Sequence, residues 1–210
     1  MEYKAVIFDL DGTLIYTAPD HRYKLISQVL NDLGTCTSPQ NIDRFWFETN
    51  RSEIIRKDFS VEPEKFWELF RLYDTLEMRK RFSMPYNDAN IVPEIRRNGL
   101  KTGIVTGAPS YIAELEVSML GKDNYDSIIV AHTLNNFKPK PHPHGLEECM
   151  KLLDVNKDEA IYVGNSDEDI LTARNAQVSD IIVDRKEYGL SIEPSKKIDS
   201  LLELRGILHL

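Results

Sequence analysis

Short apolar runs with no polar alternation recur along this chain, at Val6-Ile7-Phe8, Gly103-Ile104-Val105, Ile128-Ile129-Val130, Ile161-Tyr162-Val163 and Ile181-Ile182-Val183. A strand with one face in water alternates apolar and polar residues. Unbroken runs instead predict strands buried on both faces, as in a parallel sheet covered by helices on either side. The intervening segments have helix length and helix spacing. Ile112, Leu115, Met119 and Leu120 form one apolar stripe, and Leu146, Cys149, Met150 and Leu153 form another. Strands separated by helical crossovers predict an open, Rossmann-like α/β fold with a mostly parallel sheet. Ligands of such sheets bind beyond the carboxyl ends of the strands, so the residues that follow each run are where chemistry is expected.

One interruption lies between the first and second runs. From about Tyr16 to Pro85 the sequence reads as helices only. Leu25, Ile26, Val29, Leu30 and Leu33 repeat at helical spacing, Ser38-Pro39 reads as an N-cap followed by proline at the first helical position, and Phe66, Leu69, Phe70, Tyr73 and Leu76 form a stripe on a third helix. Both tryptophans, Trp46 and Trp67, fall in this block, which has enough apolar residues for a small core of its own. The expected organisation is therefore an α/β core domain at 1–15 and 86–210 with a helical domain inserted at 16–85.

Composition removes several function classes. Lys plus Arg is 26 against 34 for Asp plus Glu, a net charge of −8, which offers no basic field to a nucleic-acid backbone or an anionic membrane. No apolar run approaches the roughly 20 residues that span a bilayer. Met1-Glu2-Tyr3-Lys4 leads directly into the first run without a signal-peptide pattern. Two cysteines, Cys36 and Cys149, are too few for a disulfide framework. A cytoplasmic protein, with no obligate protein partner, is the expectation.

The first run ends in Asp9-Leu10-Asp11-Gly12-Thr13. Strand periodicity points Asp9 and Asp11 the same way, and Gly12 permits a tight exit. Two carboxylates so close repel each other, so a cation must sit there or one must keep its proton. The bland alternative is a loop in which Asp forms a turn or caps a helix. The second run ends in Thr106-Gly107, and Ala108-Pro109-Ser110 opens a helix, a pattern that either cradles phosphate or merely punctuates the chain. Phe137-Lys138-Pro139-Lys140-Pro141 carries lysine in a proline-stiffened loop, where the bland reading is an exposed charged turn. His142 and His144 lack a third nitrogen or sulfur ligand nearby and read as loop residues. Gly164-Asn165-Ser166-Asp167-Glu168-Asp169 opens a further helix, where acids can serve the helix dipole alone. A calcium loop is excluded, because Ile170 and Ala176 occupy the required glycine and glutamate positions.

Taken in order, these motifs resemble the haloacid-dehalogenase-like superfamily. Asp9-Leu10-Asp11-Gly12-Thr13-Leu14 is similar to its first motif in phosphatase members, and the stretch through Ala18-Pro19-Asp20 resembles phosphoglycolate phosphatases, with Tyr16 where an acidic residue is usual. The resemblance implies that Asp9 is a nucleophile forming an aspartyl-phosphate and that Asp11 is the general acid and base. It implies that Thr106 and Gly107 bind the transferring phosphoryl group and that Lys138, selected over Lys140 by the Lys-Pro-x-Pro motif, is the catalytic lysine. It implies Mg2+ held by Asp9, Asp11 through its backbone carbonyl, Asn165 and Asp169. Asn165 stands where the family usually has aspartate and offers no charge, so weaker metal binding is expected, with Asp167 available to compensate. The helical insertion is expected to act as a cap that selects small phosphorylated metabolites, phosphoglycolate among them. Arg51, near the start of the second cap helix, is the candidate substrate contact, against its reading as a solvated arginine. A sugar-phosphate mutase of the β-phosphoglucomutase type and a non-catalytic phosphate-binding relative are the alternatives; Thr13 favours a hydrolase over the mutase.

Overall fold

The computed structural model describes residues 3–210, apart from the side chain of Leu134; the Met1-Glu2 start of the amino-terminal reading lies outside the described residues. The chain divides into two compact units, one running to Tyr16 and resuming over Met84–Leu210, the other Thr17–Ser83.

In the first unit the expected runs are strands β1 (Ala5–Phe8), β4 (Lys101–Thr106), β5 (Ser127–Val130), β6 (Ala160–Gly164) and β7 (Ser179–Val183). A short strand that the apolar pattern does not mark, β8 (Lys196–Ile198), adds to the edge. All six form one sheet in the order β5-β4-β1-β6-β7-β8, every pairing parallel. The alternation of the pleat explains why β1 has no polar residue. Val6 and Phe8 enter one core with α6 (Ile91–Arg97), α7 (Ser110–Leu120) and α10 (Leu204–Leu208), while Ala5 and Ile7 enter the opposite one with α8 (His144–Leu152) and α9 (Asp167–Asn175).

β1 is central, with β4 on one side and β6 on the other, and the chain winds outward from it in both directions. This is the topological switch point at which open α/β sheets leave a crevice. Register fixes what lines it. Phe8 pairs with Ile104 and with Val163, so the segments that follow these residues leave the sheet at a common edge.

The second unit holds helices α1 (Pro19–Asp32), α2 (Pro39–Phe47), α3 (Arg51–Lys57), α4 (Pro63–Tyr73) and α5 (Leu76–Phe82). The reading of this block as helices only is corrected at its ends. Ile15–Thr17 (β2) and Ser83–Pro85 (β3) pair as a two-stranded ribbon where the chain enters and leaves the insertion. The Phe66 stripe lies on the fourth helix, not the third, and Arg51 opens the third, not the second. Ser38 is the expected cap, its hydroxyl accepting the Asn41 N–H, with Pro39 at the first helical position. The core is aromatic: Phe45 packs against Phe59, Phe66 and Trp67 with ring centroids 5.0–5.5 Å apart. A buried polar group crosses it. Arg79 grips Asp74 through two bonds of 2.8 and 2.9 Å, and His21 Nε2 lies 3.2 Å from the same carboxylate. Although burial opposes it, these partners hold the Asp74 carboxyl down at about 2.

Candidate active site

Asp9 is the first residue past β1, anchored by its own N–H donating to the Val163 carbonyl at 2.8 Å. The chain then turns sharply. The N–H groups of Thr13, Leu14 and Ile15 converge on the Leu10 carbonyl, and the Gly12 N–H reaches the Ile15 carbonyl. Gly12 makes this possible in two ways. Its φ is +79°, and a Cβ there would lie 2.3 Å from the Asn165 side-chain nitrogen. The turn brings the Thr13 hydroxyl to 3.3 Å from Asp9 Oδ2 and 3.1 Å from Asn165 Oδ1. Oxygens from the first and fourth motifs thus meet at one buried hydroxyl. Asp11 is half-buried, and its charge is felt at Asp9.

The expected lysine is corrected. Lys138 is exposed, and its backbone N–H donates to His144 Nδ1. Lys140 enters the site instead: its Nζ lies 2.7 Å from Asp9 Oδ1 and 2.7 Å from Asp169 Oδ1, with the ammonium almost wholly buried. The physical reason is spacing. Lys-Pro-x-Pro occurs twice, overlapping, at 138–141 and 140–143, and only the second copy runs directly into α8, which packs on the sheet beside β4 and β5. His142 and His144 shape this loop, His142 Nδ1 accepting the His144 N–H.

Asp169, the expected metal ligand, is held by hydrogen bonds at both oxygens. Its Oδ2 accepts the N–H groups of Asn165 and Ser166 and the Ser166 hydroxyl, and its Oδ1 accepts from Lys140 and the Tyr162 hydroxyl. Five donors leave it as the anchor of Lys140 and of the α9 amino terminus rather than an open metal ligand. Gly164 allows this closeness, since a Cβ there would stand 2.3 Å from the Asp169 Cβ. Asp167 does not compensate for Asn165: it accepts the backbone N–H groups of Ser191 and Ile192. Tyr162, which the sequence marks only as a strand residue, puts its hydroxyl 3.1 Å from the Val105 carbonyl and 3.4 Å from Lys140 Nζ.

Thr106 ends β4, buried, with its hydroxyl accepting the Ala108 N–H at 3.1 Å. Gly107 follows, exposed, and the position of its missing Cβ lies 3.9 Å from the Lys140 side chain. The phosphate-cradle candidates and the lysine are therefore neighbours. Arg51 belongs to the other unit, where its guanidinium donates to the Phe45 and Trp46 carbonyls at the end of α2. That geometry gives it a helix-terminating role and lends no support to the substrate contact expected of it.

Charge in the site is unbalanced. Burial pushes the Asp9 carboxyl up; Lys140 opposes this, and Asp169 and Asp11 add to the rise. Burial also acts to raise Asp169, but Lys140, Ser166 and the Asn165 N–H outweigh it and hold that carboxyl down. Lys140 stays protonated because Asp169 and Asp9 outweigh its own burial. Two carboxylates share one ammonium, and Asp11 adds a third negative charge that acts on Asp9. The donors that converge, the Asp9 carboxylate and the Asn165 amide oxygen, are hard oxygens of the kind Mg2+ takes. Among the described residues no three His, Cys, Asp or Glu side chains group as a metal site.

Comparison with known proteins agrees with this geometry. The family model described as haloacid dehalogenase-like hydrolase matches residues 6–183. The chain is 27% identical to the pyrophosphatase PpaX of Bacillus cereus strain B4264 over 223 aligned positions, covering 99% of this chain and 97% of that one. It is similar in structure to a HAD phosphatase from Thermococcus onnurineus, at TM-score 0.70 and 27% identity over 98% of this chain and 97% of that one. A "predicted phosphoglycolate phosphatase" from Haemophilus somnus shares the fold at TM-score 0.77 and 18% identity, covering 99% and 98%. Among the described residues no helix is long and apolar enough to cross a membrane.

Proposed function

The chain belongs to the haloacid dehalogenase-like hydrolases, and on that premise we propose that it is a Mg2+-dependent phosphoric monoester hydrolase working through an aspartyl-phosphate on Asp9. The observation that carries this reading is the Lys140 ammonium held 2.7 Å from both Asp9 and Asp169 at the switch point of the sheet. A buried ammonium pinned between two carboxylates is pre-organised to meet phosphoryl oxygens, and its positioning needs no rearrangement at the moment of reaction.

Asp9 attacks phosphorus, forming a carboxylate oxygen–phosphorus bond as the ester oxygen–phosphorus bond breaks. Asp11 gives its proton to the departing oxygen. Lys140, the Thr106 hydroxyl and the Gly107 N–H hold the phosphoryl oxygens. Asp11 then takes a proton from the water that attacks the phospho-aspartate, releasing phosphate and restoring Asp9. The Asp9 carboxylate, the Asp11 carbonyl and the Asn165 amide oxygen would hold Mg2+, which supplies the positive charge that lets an anionic nucleophile approach an anionic ester.

The substrate class is a small phosphorylated metabolite. The similarity to a pyrophosphatase and to phosphatases supports assaying pyrophosphate beside phosphoglycolate and sugar phosphates. Phosphate release across that panel, with Mg2+ and with chelator, is the test. Mg2+-dependent release from at least one member is expected. No release from any member, or release that chelator leaves untouched, would overturn the reading; isomerised sugar phosphate without free phosphate would favour a mutase.

A further inference from the structure

Behind the catalytic turn lies a half-buried arginine that no motif marks. Arg185 follows β7 and leaves the sheet at the same edge as Asp9. One Nη of its guanidinium donates to the Thr13 carbonyl at 2.5 Å. The same group forks onto Asp88 through bonds of 2.8 and 3.0 Å and lies over the Tyr86 ring, 3.7 Å from its centroid. Asp88 is itself fixed, accepting the Ser200 hydroxyl and the Leu201 N–H, and Tyr86 is fixed through its hydroxyl to Glu187 at 2.8 Å. Both of the guanidinium's Nη groups and its ring partner are thus held by further contacts.

Thr13 is gripped at both ends. Its hydroxyl is on Asp9 and Asn165, and its carbonyl is on Arg185. The next carbonyl, Leu14, accepts the Tyr86 N–H. Asp11 is two residues away across Gly12, a glycine at φ +79° with little intrinsic stiffness. A carboxylate that must first give and then take a proton needs a fixed backbone, and the Arg185 bond to the Thr13 carbonyl adds to the bonds made within the turn.

We propose that Arg185 is a positioning residue for Asp11, acting through the Thr13 carbonyl and the Asp88 fork; this rests on the phosphatase reading above. A mispositioned Asp11 hurts most where the leaving oxygen needs a proton. Arg185→Gln therefore lowers kcat/KM, which reports the first chemical step, about thirtyfold for an alkyl phosphate. It lowers kcat/KM only about threefold for p-nitrophenyl phosphate, whose leaving group departs without help. Arg185→Lys keeps the charge and one bond and recovers part of the alkyl-ester loss. Asp88→Asn, isosteric and milder, shifts the ratio the same way and serves as the test if Arg185→Gln does not fold. Equal losses on both esters, or none, would overturn the proposal while leaving the phosphatase reading intact. A wild-type enzyme that hydrolyses neither ester with Mg2+ would overturn both.

Discussion

Lys140→Met separates this account from the one that the first Lys-Pro-x-Pro copy suggests. The substitution keeps much of the stem's volume and removes the ammonium from between two carboxylates, each 2.7 Å away and buried. Removing one partner of a buried ion pair costs about 3–5 kcal/mol, because the remaining charge stays desolvated. The loss should fall near the lower end, since burial has already raised Asp9 and a proton can replace the ammonium there. The sign follows: with no ammonium the Asp9 pKa rises above its wild-type value of about 7, so the variant regains stability relative to wild type as pH falls from alkaline values to neutrality, and the difference is level below that. Turnover should drop about 100–1000-fold, the usual cost of one pre-organised charge at a transferring group. Lys138→Ala, at an exposed position, should change stability by no more than about 0.5 kcal/mol and leave turnover near wild type. Urea unfolding at about pH 9 and about pH 7, with p-nitrophenyl phosphate turnover on the same samples, measures both. An inactive Lys138→Ala beside an active Lys140→Met would refute the reasoning.

Two further outcomes follow from named contacts. The Asp74 carboxyl, lowered from 3.8 to about 2, contributes about 2–3 kcal/mol. Because the folded-state value is depressed, that stability is present above pH 3.8 and lost as pH falls through about 2; the gap in urea midpoint between wild type and Asp74→Asn should close over that window, and a gap constant with pH would contradict it. Asn165→Asp keeps the bond to the Thr13 hydroxyl but adds a charge beside Asp9. Its melting temperature should fall in chelator and rise more than wild type's on Mg2+ titration, with about tenfold tighter binding; an unchanged titration would show that the amide oxygen already suffices.

What the sequence disclosed, and what it hid, follows from how local each signal is. The strands of the switch point were legible because burial on both faces leaves consecutive apolar residues, and the catalytic loops were legible because they follow those strands directly. β8 was not, since its Lys196-Lys197-Ile198 carries one apolar residue, nor were the three-residue strands of the linker ribbon. The choice between Lys138 and Lys140 turns on which prolines abut a helix start, a two-residue question that a motif matching twice leaves open; the distance from Pro143 to His144 was the available signal. Asp169 was expected as a metal ligand of the fourth motif; its ammonium partner was invisible, because the Lys140–Asp169 contact joins residues 29 apart in the chain. Tyr162 and Arg185 are likewise silent in sequence. Tyr162 reads as an ordinary strand residue and no motif marks Arg185; only the packing of β6 beside β1, and of β7 beside β6, brings them to their partners.

The most direct test of the central claim is to trap the covalent intermediate. Enzyme quenched in acid during turnover and digested should yield the peptide containing Asp9 with the added mass of one phosphoryl group, located on Asp9 by fragmentation. The same peptide from Asp9→Asn should carry none, with turnover abolished. A phosphoryl group on another residue, or an Asp9→Asn enzyme that still turns over, would contradict the account.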